Sequence, residues 1–511
     1  MPTALLEPDR VVRADSTAVR SLELIEALAR PGEIPRGHRI YVNRNLRLDQ
    51  IQMVGFDMDY TLALYHQARI ESLSVKATLD KMVSYKGYPA AIFALRYDPS
   101  LGIRGLVVDQ EHGNLFKPDR YGTPGRVLHG HRNLSDDEVA AHYQRKRMRL
   151  ADPRYAWIDT LFALPEAVLY VNLVDFFDRY DGPRPAYDQL WRDIRECIDL
   201  AHRDGSIKAL VSADLPQFIE RDPALAEALH RFRSSGKRLF LLTNSEWSYT
   251  DPVMRYLLDD ALPAYPSWRN YFDIVIVSGA KPAFFTEERP FVELDPDGAP
   301  LPTAPKGPFA RGHVYSGGNL REFEERARSR GAEVLYIGDH IFGDMLRSRK
   351  SSAWRTAMVL QELEHEVRTH DQVAPDLVRL DDLERQLRHL EGDISDKQVV
   401  LRSLQRRDGT EEVVATTDEL DIAKRTVKDA LDGLREQLKT SMLEHRHLEQ
   451  QLDDAFNPHW GPLFREGYEI SKFGEQVEAY ACIYTSRVSN FRFYSPSCHF
   501  RGARDRMPHE R

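Results

Sequence analysis

Short apolar runs recur along the chain and are typical of buried β-strands. The first run ends at Phe56, and four more lie at 238–244, 272–277, 334–337 and 357–360. Stretches with helical spacing, such as 223–234 and 321–330, lie between these runs. Strands that alternate with helices favour a parallel sheet with helices on both faces. The pattern therefore predicts an α/β protein with a Rossmann-like core, formed by 41–66 and 236–375.

The region 67–235 separates the first two predicted core strands. It is far too long for a loop, so we expect an inserted cap domain. Its pattern predicts one strand at Leu106–Asp109 and three helices, which lie at 135–147, 159–178 and Tyr187–Arg203. We therefore expect a cap that is rich in α-helix.

Leucine and isoleucine residues three and four positions apart dominate 376–455. This spacing predicts two amphipathic helices, and Asp408-Gly409 marks the break between them. We expect a coiled-coil-like helical hairpin that projects from the core. Its two halves pack against each other, or one face binds a second copy or another protein. The sequence leaves both interpretations open, and self-packing is the more common outcome.

The two ends of the chain have weaker patterns. Residues 1–40 are polar and are interpreted as an arm that lies on the core. Residues 456–511 form the C-terminal segment, whose end from Tyr480 is aromatic and basic and contains too few contiguous apolar residues to fold alone. We expect this segment to pack on the core or on a neighbouring subunit.

The composition is that of a soluble globular protein with more than one structural unit. The 511 residues carry a net charge of −9 and have a pI of about 6.1. This balance gives no indication of nucleic acid or membrane partners. The sequence shows neither an apolar run long enough for a membrane span nor a secretory signal at its start. Three widely separated cysteines indicate a reducing compartment, so we expect a cytoplasmic protein.

Two carboxylates directly follow the first predicted strand. Asp57 and Asp59 are costly to bury unless a cation or a phosphoryl group accompanies them. Asp57 could attack phosphorus as a nucleophile, and Asp59 could exchange a proton with the leaving oxygen and with water. A helix cap or an Asx-turn explains this pair equally well when it is considered alone.

Further polar residues follow the other predicted strands. Because the carboxyl ends of parallel strands meet at one edge of a sheet, we expect these side chains to lie together. Hard carboxylate oxygens from Asp57 and Asp339 could bind Mg²⁺, with the Asp59 carbonyl as a further ligand. Each residue alone has a simpler explanation as a turn, a cap or a surface charge, but the ordered set favours phosphoryl transfer. The remaining members are Thr243, Asn244 and Ser245 as hydrogen-bond donors to phosphate, Lys281 as a fixed positive charge, and Asp344 as a support for Lys281 or for metal-bound water.

The motifs DMDYT, TNS, Lys-Pro and GDHIFGD, in this order, resemble those of the haloacid dehalogenase superfamily of aspartate-nucleophile phosphatases. The segments GFDMDYTLA, DTLFALPE, LVDFFD, TNSEWSYT, KPAFF, VYSGGN and MPHE resemble one branch, the cytosolic purine 5′-nucleotidases that prefer IMP and GMP. The resemblance runs from about residue 40 to the end. It implies the following roles: Asp57 as nucleophile, Asp59 as acid and base, Asp57, Asp59 and Asp339 as magnesium ligands, and Thr243, Asn244, Ser245 and Lys281 as phosphate contacts.

The resemblance also implies where the nucleoside binds. Phe162 matches a ring that stacks on the purine, and Arg195 and Asp199 match the pair that contacts its polar edge. His202 and Lys208 match further substrate contacts. From the residues alone, Phe162 would be a core residue, and Arg195 with Asp199 a surface ion pair one helical turn apart. A donor beside an acceptor fits a 6-oxo purine and disfavours adenine, whose pattern is reversed.

Other implications concern regulation and assembly. Phe342 and Lys350 match positions of an effector site at which adenine nucleotides activate the vertebrate members, but Asp159 stands where those members carry an amide. A carboxylate there would repel a polyphosphate. The family implies a homo-oligomer, either a dimer or a tetramer. The sequence as a whole thus predicts a magnesium-dependent 5′-nucleotidase with a purine nucleoside monophosphate as substrate, and with nucleoside phosphotransferase activity.

Two alternatives remain open at this level. The same phosphatase chemistry could act on another small phosphate ester. The fold could also serve as a non-catalytic scaffold that acts through the helical hairpin, although the set of catalytic residues is intact.

Overall fold

The computed structural model describes residues 33–144, 149–302, 307–346, 352–406, 416–504 and 506–510. The strands in these segments are β1 (Tyr41–Val42), β2 (Leu46–Arg47), β3 (Met53–Phe56), β4 (Leu64–Tyr65), β5 (Leu106–Asp109), β6 (Asn114–Pro118), β7 (Pro124–His129), β8 (Arg132–Asn133), β9 (Tyr155–Ile158), β10 (Ile219–Glu220), β11 (Arg238–Leu242), β12 (Ile274–Val277), β13 (Phe291–Leu294), β14 (Val314–Gly317), β15 (Val334–Gly338), β16 (Arg355–Val359), β17 (Arg465–Glu466), β18 (Glu469–Ile470), β19 (Ile483–Thr485) and β20 (His499–Phe500).

Helices occupy much of the remaining described chain. Their bounds are α1 (Gln67–Lys86), α2 (Asp136–Val139), α3 (Leu164–Asp178), α4 (Tyr187–Arg203), α5 (Ser206–Ala213), α6 (Leu215–Phe218), α7 (Ala224–Ser234), α8 (Trp247–Leu258), α9 (Ala283–Thr286), α10 (Leu320–Ala327), α11 (Leu363–Gln372), α12 (Ala374–Arg406), α13 (Thr417–Phe456) and α14 (Lys472–Tyr480). Within the described segments, none of these helices combines the length and the apolar character needed to cross a bilayer.

A nine-stranded sheet forms the centre of the molecule, in the order β1-β19-β16-β15-β3-β11-β12-β14-β13. The strands from β19 to β14 are parallel, and β1 and β13 join the two edges antiparallel. All four residues of β3 are buried, as are those of β12, because helices and the inserted region cover both faces. The predicted α/β class with a large parallel sheet is confirmed.

The inserted region is rich in α-helix, but the sequence pattern does not predict all of its elements. Besides its helices it contains a five-stranded antiparallel sheet, in the order β8-β7-β6-β5-β9. Only β5 is predicted from the sequence, because it begins with the apolar run Leu106, Val107 and Val108. β6 and β7 contain proline, lysine and arginine, and their strand structure depends on pairing with β5 and with each other.

Several helices also begin or end at other residues than the apolar pattern predicts, because of local turns and caps. The segment 159–178 begins with a 3₁₀ turn at Leu161–Ala163, and the helix starts only at Leu164. Helix α10 ends at Ala327 because Arg328 adopts a left-handed conformation with φ of 51°. Ser135 caps α2 with a capping box, and a π turn follows at Ala140–Gln144. The rest of that predicted helix, 145–147, lies outside the described residues.

The long helices α12 and α13 form the predicted hairpin. Arg379 pairs with Glu444, and the Gln386 side chain donates a hydrogen bond to the Ser441 hydroxyl over 3.3 Å. Leu383 packs with two leucines of α13 near the base of the hairpin. The two helices therefore pack against each other, as the simpler interpretation has it. The predicted break at Asp408-Gly409 lies outside the described residues.

The C-terminal segment packs on the core of its own chain. β19 inserts between β1 and β16 in the main sheet, and β20 pairs with β2. Lys117 of the inserted region is buried and donates hydrogen bonds to the carbonyls of Trp460 and Pro462 over 2.9 and 2.5 Å. Residues 1–32 of the predicted N-terminal arm lie outside the described residues.

Candidate active site

Asp57 is the first residue after the central strand β3. Its backbone NH donates a hydrogen bond to the Ile337 carbonyl of β15 over 2.9 Å, which fixes it at the carboxyl edge of the sheet. Its Oδ1 atom accepts a hydrogen bond from the NH of Met58 over 2.8 Å. The chain then turns through Tyr60, which has a φ of 54°. Asp57 is buried, and Asp59 is partly buried beside it.

A buried lysine faces the Asp57 carboxylate. The ammonium of Lys281 lies 2.9 Å from Asp57 Oδ2 and 2.6 Å from Asp344 Oδ1. It also donates to the Tyr336 hydroxyl over 2.9 Å. Burial raises the pKa of Asp57, and the positive charge of Lys281 opposes this shift. Burial alone would lower the pKa of Lys281, but Asp344 and Asp57 raise it, so the lysine is a fixed positive charge.

The same edge holds a third carboxylate, that of Asp339, which follows β15. Carboxylate oxygens of Asp57, Asp339 and Asp344 lie within 4.8 Å of one another. The Asp339 Oδ2 atom is buried and has no hydrogen-bond partner among the described residues. Burial raises the pKa of Asp339 to about 7, and Asp344 adds to the shift. Three clustered carboxylates with one orphaned oxygen fit a hard divalent cation such as Mg²⁺.

The residues after β11 hold this site together. The Asn244 side chain accepts a hydrogen bond from the NH of Lys281 over 2.6 Å and donates one to its carbonyl over 3.0 Å. The Ser245 hydroxyl donates to Asp59 Oδ2 over 2.8 Å. Thr243 is fully buried, and its hydroxyl accepts from the NH of Ser245. Two of the predicted phosphate contacts, Asn244 and Ser245, therefore use their side chains to position Lys281 and Asp59.

Two tyrosines that sequence reasoning missed complete the support of Asp59. The Tyr65 hydroxyl donates to Asp59 Oδ1 over 2.6 Å and lies 2.8 Å from the Tyr249 hydroxyl. Because the single proton of Tyr65 goes to Asp59, Tyr249 is the donor to Tyr65. Both tyrosines are buried, and in the sequence they resemble ordinary core aromatics.

The predicted nucleoside contacts converge on the same region. The Phe162 ring is 38% exposed, and its centroid is 4.7 Å from that of Tyr60, next to Asp59. The His202 ring is 6.3 Å from Phe162, and burial lowers the pKa of His202. The Lys208 ammonium is 5.6 Å from the centre of the Tyr249 ring. An exposed aromatic face therefore borders the carboxylate cluster.

Arg195 and Asp199 lie on α4, as predicted, but their contacts differ from the expected ion pair. Arg195 Nη1 lies 2.8 and 2.7 Å from the two carboxylate oxygens of Glu166 on α3. Asp199 is exposed, and within the described residues no hydrogen bond or ion pair engages its carboxylate. Glu166 is buried and is another residue that sequence reasoning missed, since its partner is distant in sequence.

Phe342, Lys350 and Asp159 are the residues that bear on the predicted effector site. Phe342 belongs to the π turn Ile341–Leu346, which directly follows the Asp339 region, but its side chain is outside the described set. Lys350 also lies outside the described residues. Asp159 Oδ2 is 3.1 Å from His340 Nε2. This carboxylate is therefore paired with a ring beside Asp339.

The parallel sheet carries a buried lysine among carboxylates at its carboxyl edge, an arrangement suited to a phosphatase. A family model described as the 5′ nucleotidase family matches residues 40–511. The chain therefore belongs to the 5′ nucleotidase family and is a phosphoric monoester hydrolase. The predicted relationship to 5′-nucleotidases is confirmed.

Curated relatives agree with this assignment. A 5′-nucleotidase domain-containing protein of Dictyostelium discoideum is 30% identical over 486 residues, which cover 92% of this chain and 74% of the relative. The 5′-nucleotidase domain-containing protein 2 of Rattus norvegicus is 30% identical over 485 residues, which cover 92% of this chain and 80% of the relative. Among solved structures, a 2-haloacid dehalogenase from Pseudomonas syringae covers 60% of this chain and 86% of its own at 16% identity, with a TM-score of 0.21.

Proposed function

We propose that this chain is a Mg²⁺-dependent 5′-nucleotidase that hydrolyses IMP, GMP and their deoxy forms through an aspartyl phosphate. A nucleoside 5′-hydroxyl that replaces water as acceptor would give phosphotransferase activity. The observation that carries the proposal is the Lys281 ammonium held between Asp57 and Asp344, next to the orphaned Asp339 oxygen. The positive charge of Lys281 opposes the effect of burial on the pKa of Asp57 and so favours the ionised, nucleophilic form of this carboxylate.

The metal would be held by the carboxylates of Asp57 and Asp339, and, as the family resemblance implies, by the carbonyl of Asp59. Asp344 is suited to a supporting role beside the metal ligands, because it already pairs with Lys281 over 2.6 Å. When bound, the ion would neutralise phosphate charge and thereby reduce its repulsion of the attacking carboxylate.

Different side chains of the site carry out phosphoryl transfer and proton transfer. Asp57 attacks phosphorus, and Lys281 stabilises both the carboxylate before attack and the phosphate oxygens after it. Asp59 gives its proton to the leaving 5′-oxygen and later accepts one from the attacking water. Hydrogen bonds from Tyr65 and Ser245 fix both oxygens of Asp59, so its geometry is preserved through the two steps.

The nucleoside would lie against the exposed Phe162 ring. Arg195 offers donors and Asp199 an acceptor, which match the O6 atom and the N1–H group of a 6-oxo purine. Adenine presents the reversed pattern and would leave polar groups unpaired, which lowers its rate by orders of magnitude. IMP and GMP are therefore the proposed substrates rather than AMP or another small phosphate ester.

We also propose a cytoplasmic homo-oligomer, as the family resemblance implies. Light scattering of the purified chain tests this assembly. A monomer at micromolar concentration would remove the oligomer from the proposal without affecting the chemistry.

The decisive experiment is phosphate release from a panel of nucleoside monophosphates with Mg²⁺, run in parallel with Asp57→Asn. We expect release from IMP and GMP, low release from AMP, and an inactive Asp57→Asn variant. Asp432→Asn is a matched control, because it makes the same change at an exposed residue of the helical hairpin. If wild-type protein cleaves other phosphate esters but no nucleotide, the substrate proposal is wrong, and if it cleaves none, so is the mechanism.

A further inference from the structure

Arg195 and Asp199 are one turn apart on α4, the spacing at which opposite charges normally pair. They do not pair here. Arg195 Nη1 instead lies within 2.8 Å of both oxygens of Glu166, on the neighbouring helix α3. Within the described residues, the Asp199 carboxylate has no hydrogen bond or ion pair. The contact with Glu166 therefore holds Arg195 out of hydrogen-bond contact with Asp199, although the two charges still attract each other.

Burial explains why Arg195 pairs with Glu166 rather than with Asp199. The Glu166 side chain is 5% exposed, whereas Asp199 is exposed to solvent. A buried carboxylate without its cation is strongly unfavourable, while an exposed pair on a helix surface contributes little. Arg195 is itself 46% exposed, so one end of its guanidinium is anchored while the group remains accessible.

The position of Glu166 connects it to the substrate side of the site. It lies four residues after Phe162, whose exposed ring borders Tyr60 and His202. Arg195 and Asp199 extend from the helix packed beside it. One short segment thus supplies both the aromatic face and the anchor for the donor.

We propose that Glu166 is a positioning residue that determines base specificity: by holding Arg195, it leaves a free donor and a free acceptor side by side on α4. The inference rests on the proposed function, because it assumes that this donor and acceptor contact a 6-oxo purine. Without the Glu166 charge, Arg195 turns to Asp199, and the acceptor for N1–H is lost. The IMP preference would then disappear although the phosphoryl-transfer residues are unchanged.

The test compares kcat/KM for IMP and AMP in wild type, Glu166→Gln, Asp199→Asn and the double variant. We expect Glu166→Gln to lower the IMP/AMP ratio about 10-fold or more, mainly through KM for IMP. In the Asp199→Asn background, Glu166→Gln should change the ratio little, because no carboxylate is left for Arg195 to join. Turnover of p-nitrophenyl phosphate, which has no base, should be unaffected.

Controls separate positioning from folding. Glu466→Gln makes the same change in another buried glutamate, one that pairs with Lys117 over 3.3 Å and is not part of the proposed site, and should keep the wild-type ratio. If Glu166→Gln does not fold, Glu166→Asp retains the charge on a shorter side chain and should lower the ratio to a smaller extent.

The outcomes are distinguishable. A wild-type enzyme that prefers IMP, together with unchanged ratios in the Glu166 variants, overturns this inference and leaves the proposed function intact. Equal losses with p-nitrophenyl phosphate and IMP would show a structural role only, and would also overturn it. A wild-type protein that cleaves no nucleotide removes the proposed function and, with it, this inference.

Discussion

The Tyr65 hydroxyl donates a hydrogen bond to Asp59 Oδ1 over 2.6 Å, and the Ser245 hydroxyl donates one to Oδ2 of the same carboxylate. Tyr65 belongs to β4, six residues beyond Asp59, after the chain has turned through Tyr60. Both oxygens of the proposed acid and base are therefore held by neighbouring hydroxyls. Such support matters in catalysis because a small displacement of a catalytic group can reduce the rate strongly.

Substituting Tyr65→Phe should lower kcat about 10-fold with little change in KM, since it removes one of the two hydroxyls that orient Asp59. The aromatic ring is retained, with its centroid 4.9 Å from that of Tyr60, so folding should be preserved. Steady-state kinetics with IMP measure the effect. Tyr249→Phe is the matched control, because it removes only the donor to Tyr65, and its effect should be smaller. An unchanged kcat in Tyr65→Phe would contradict the positioning role.

The substitution Lys281→Met removes the buried cation and should lower activity by at least about 100-fold. It should also lower the free energy of unfolding by about 3–5 kcal/mol, because Asp57 and Asp344 would be left buried without their counter-charge. Phosphate release and urea denaturation measure the two effects. Lys237→Met provides the comparison, since Lys237 is buried as well but donates to the backbone carbonyls of Leu48 and Ile51. That variant should lose stability and keep its catalytic rate, whereas an active Lys281→Met enzyme would exclude the proposed role.

Magnesium should stabilise the folded protein, even in the absence of substrate. An ion that binds only the native state raises the unfolding free energy by about 2.7 kcal/mol at 100 times its dissociation constant. We expect millimolar Mg²⁺ to raise the thermal midpoint by a few degrees and EDTA to reverse this. Asp339→Asn should respond much less, because it loses one of the clustered carboxylates. Equal thermal shifts in both proteins would place the metal elsewhere.

Glu71 offers a prediction about pH that does not involve the site chemistry. Burial raises the pKa of Glu71 to about 8, while Gln67 opposes the shift and Glu362 adds to it. In the unfolded chain this group ionises near pH 4.3. The folded state therefore binds the extra proton between these values, and stability falls as pH rises from about 4.3 to 8.

Substituting Glu71→Gln should remove this loss and make the protein more stable than wild type at pH 8, by about 2–5 kcal/mol. Near pH 4 the two proteins should differ little. Urea denaturation across this pH range measures the difference. Glu196→Gln, at an exposed glutamate, should follow the wild-type profile. Parallel profiles for wild type and Glu71→Gln would show that Glu71 is not a buried neutral acid.

Removing the outer part of the helical hairpin should leave catalysis intact. In the outer part, Leu390 and Leu431 are buried, whereas the base contacts the inserted region through the ion pair of Arg126 with Asp453. We expect a chain in which a short Gly-Ser link replaces 391–437 to retain wild-type kcat/KM for IMP. Loss of activity together with a change in oligomeric state would instead assign the hairpin to assembly.

The strand-end residues show how far sequence alone could lead. Asp57, Thr243 and Asp339 each follow an apolar run, and parallel strands necessarily bring such ends to one edge. The order of β15, β3 and β11 in the sheet places them together. Chain order and apolar periodicity therefore determined the fold class and the placement of the strand-end carboxylates proposed for catalysis, because both depend on local pattern and on a general rule of sheet topology.

Only the tertiary structure decided which polar side chains pair. Asn244 binds the backbone of Lys281, and Tyr65 donates to Asp59. Arg195 pairs with Glu166 and not with Asp199, the partner that helical spacing predicts. The sheet of the inserted region likewise depends on pairing between strands with weak patterns of their own. Such contacts depend on side-chain direction and on burial, and burial decides which of two competing ion pairs forms, since a charge removed from water must be compensated while an exposed one need not be.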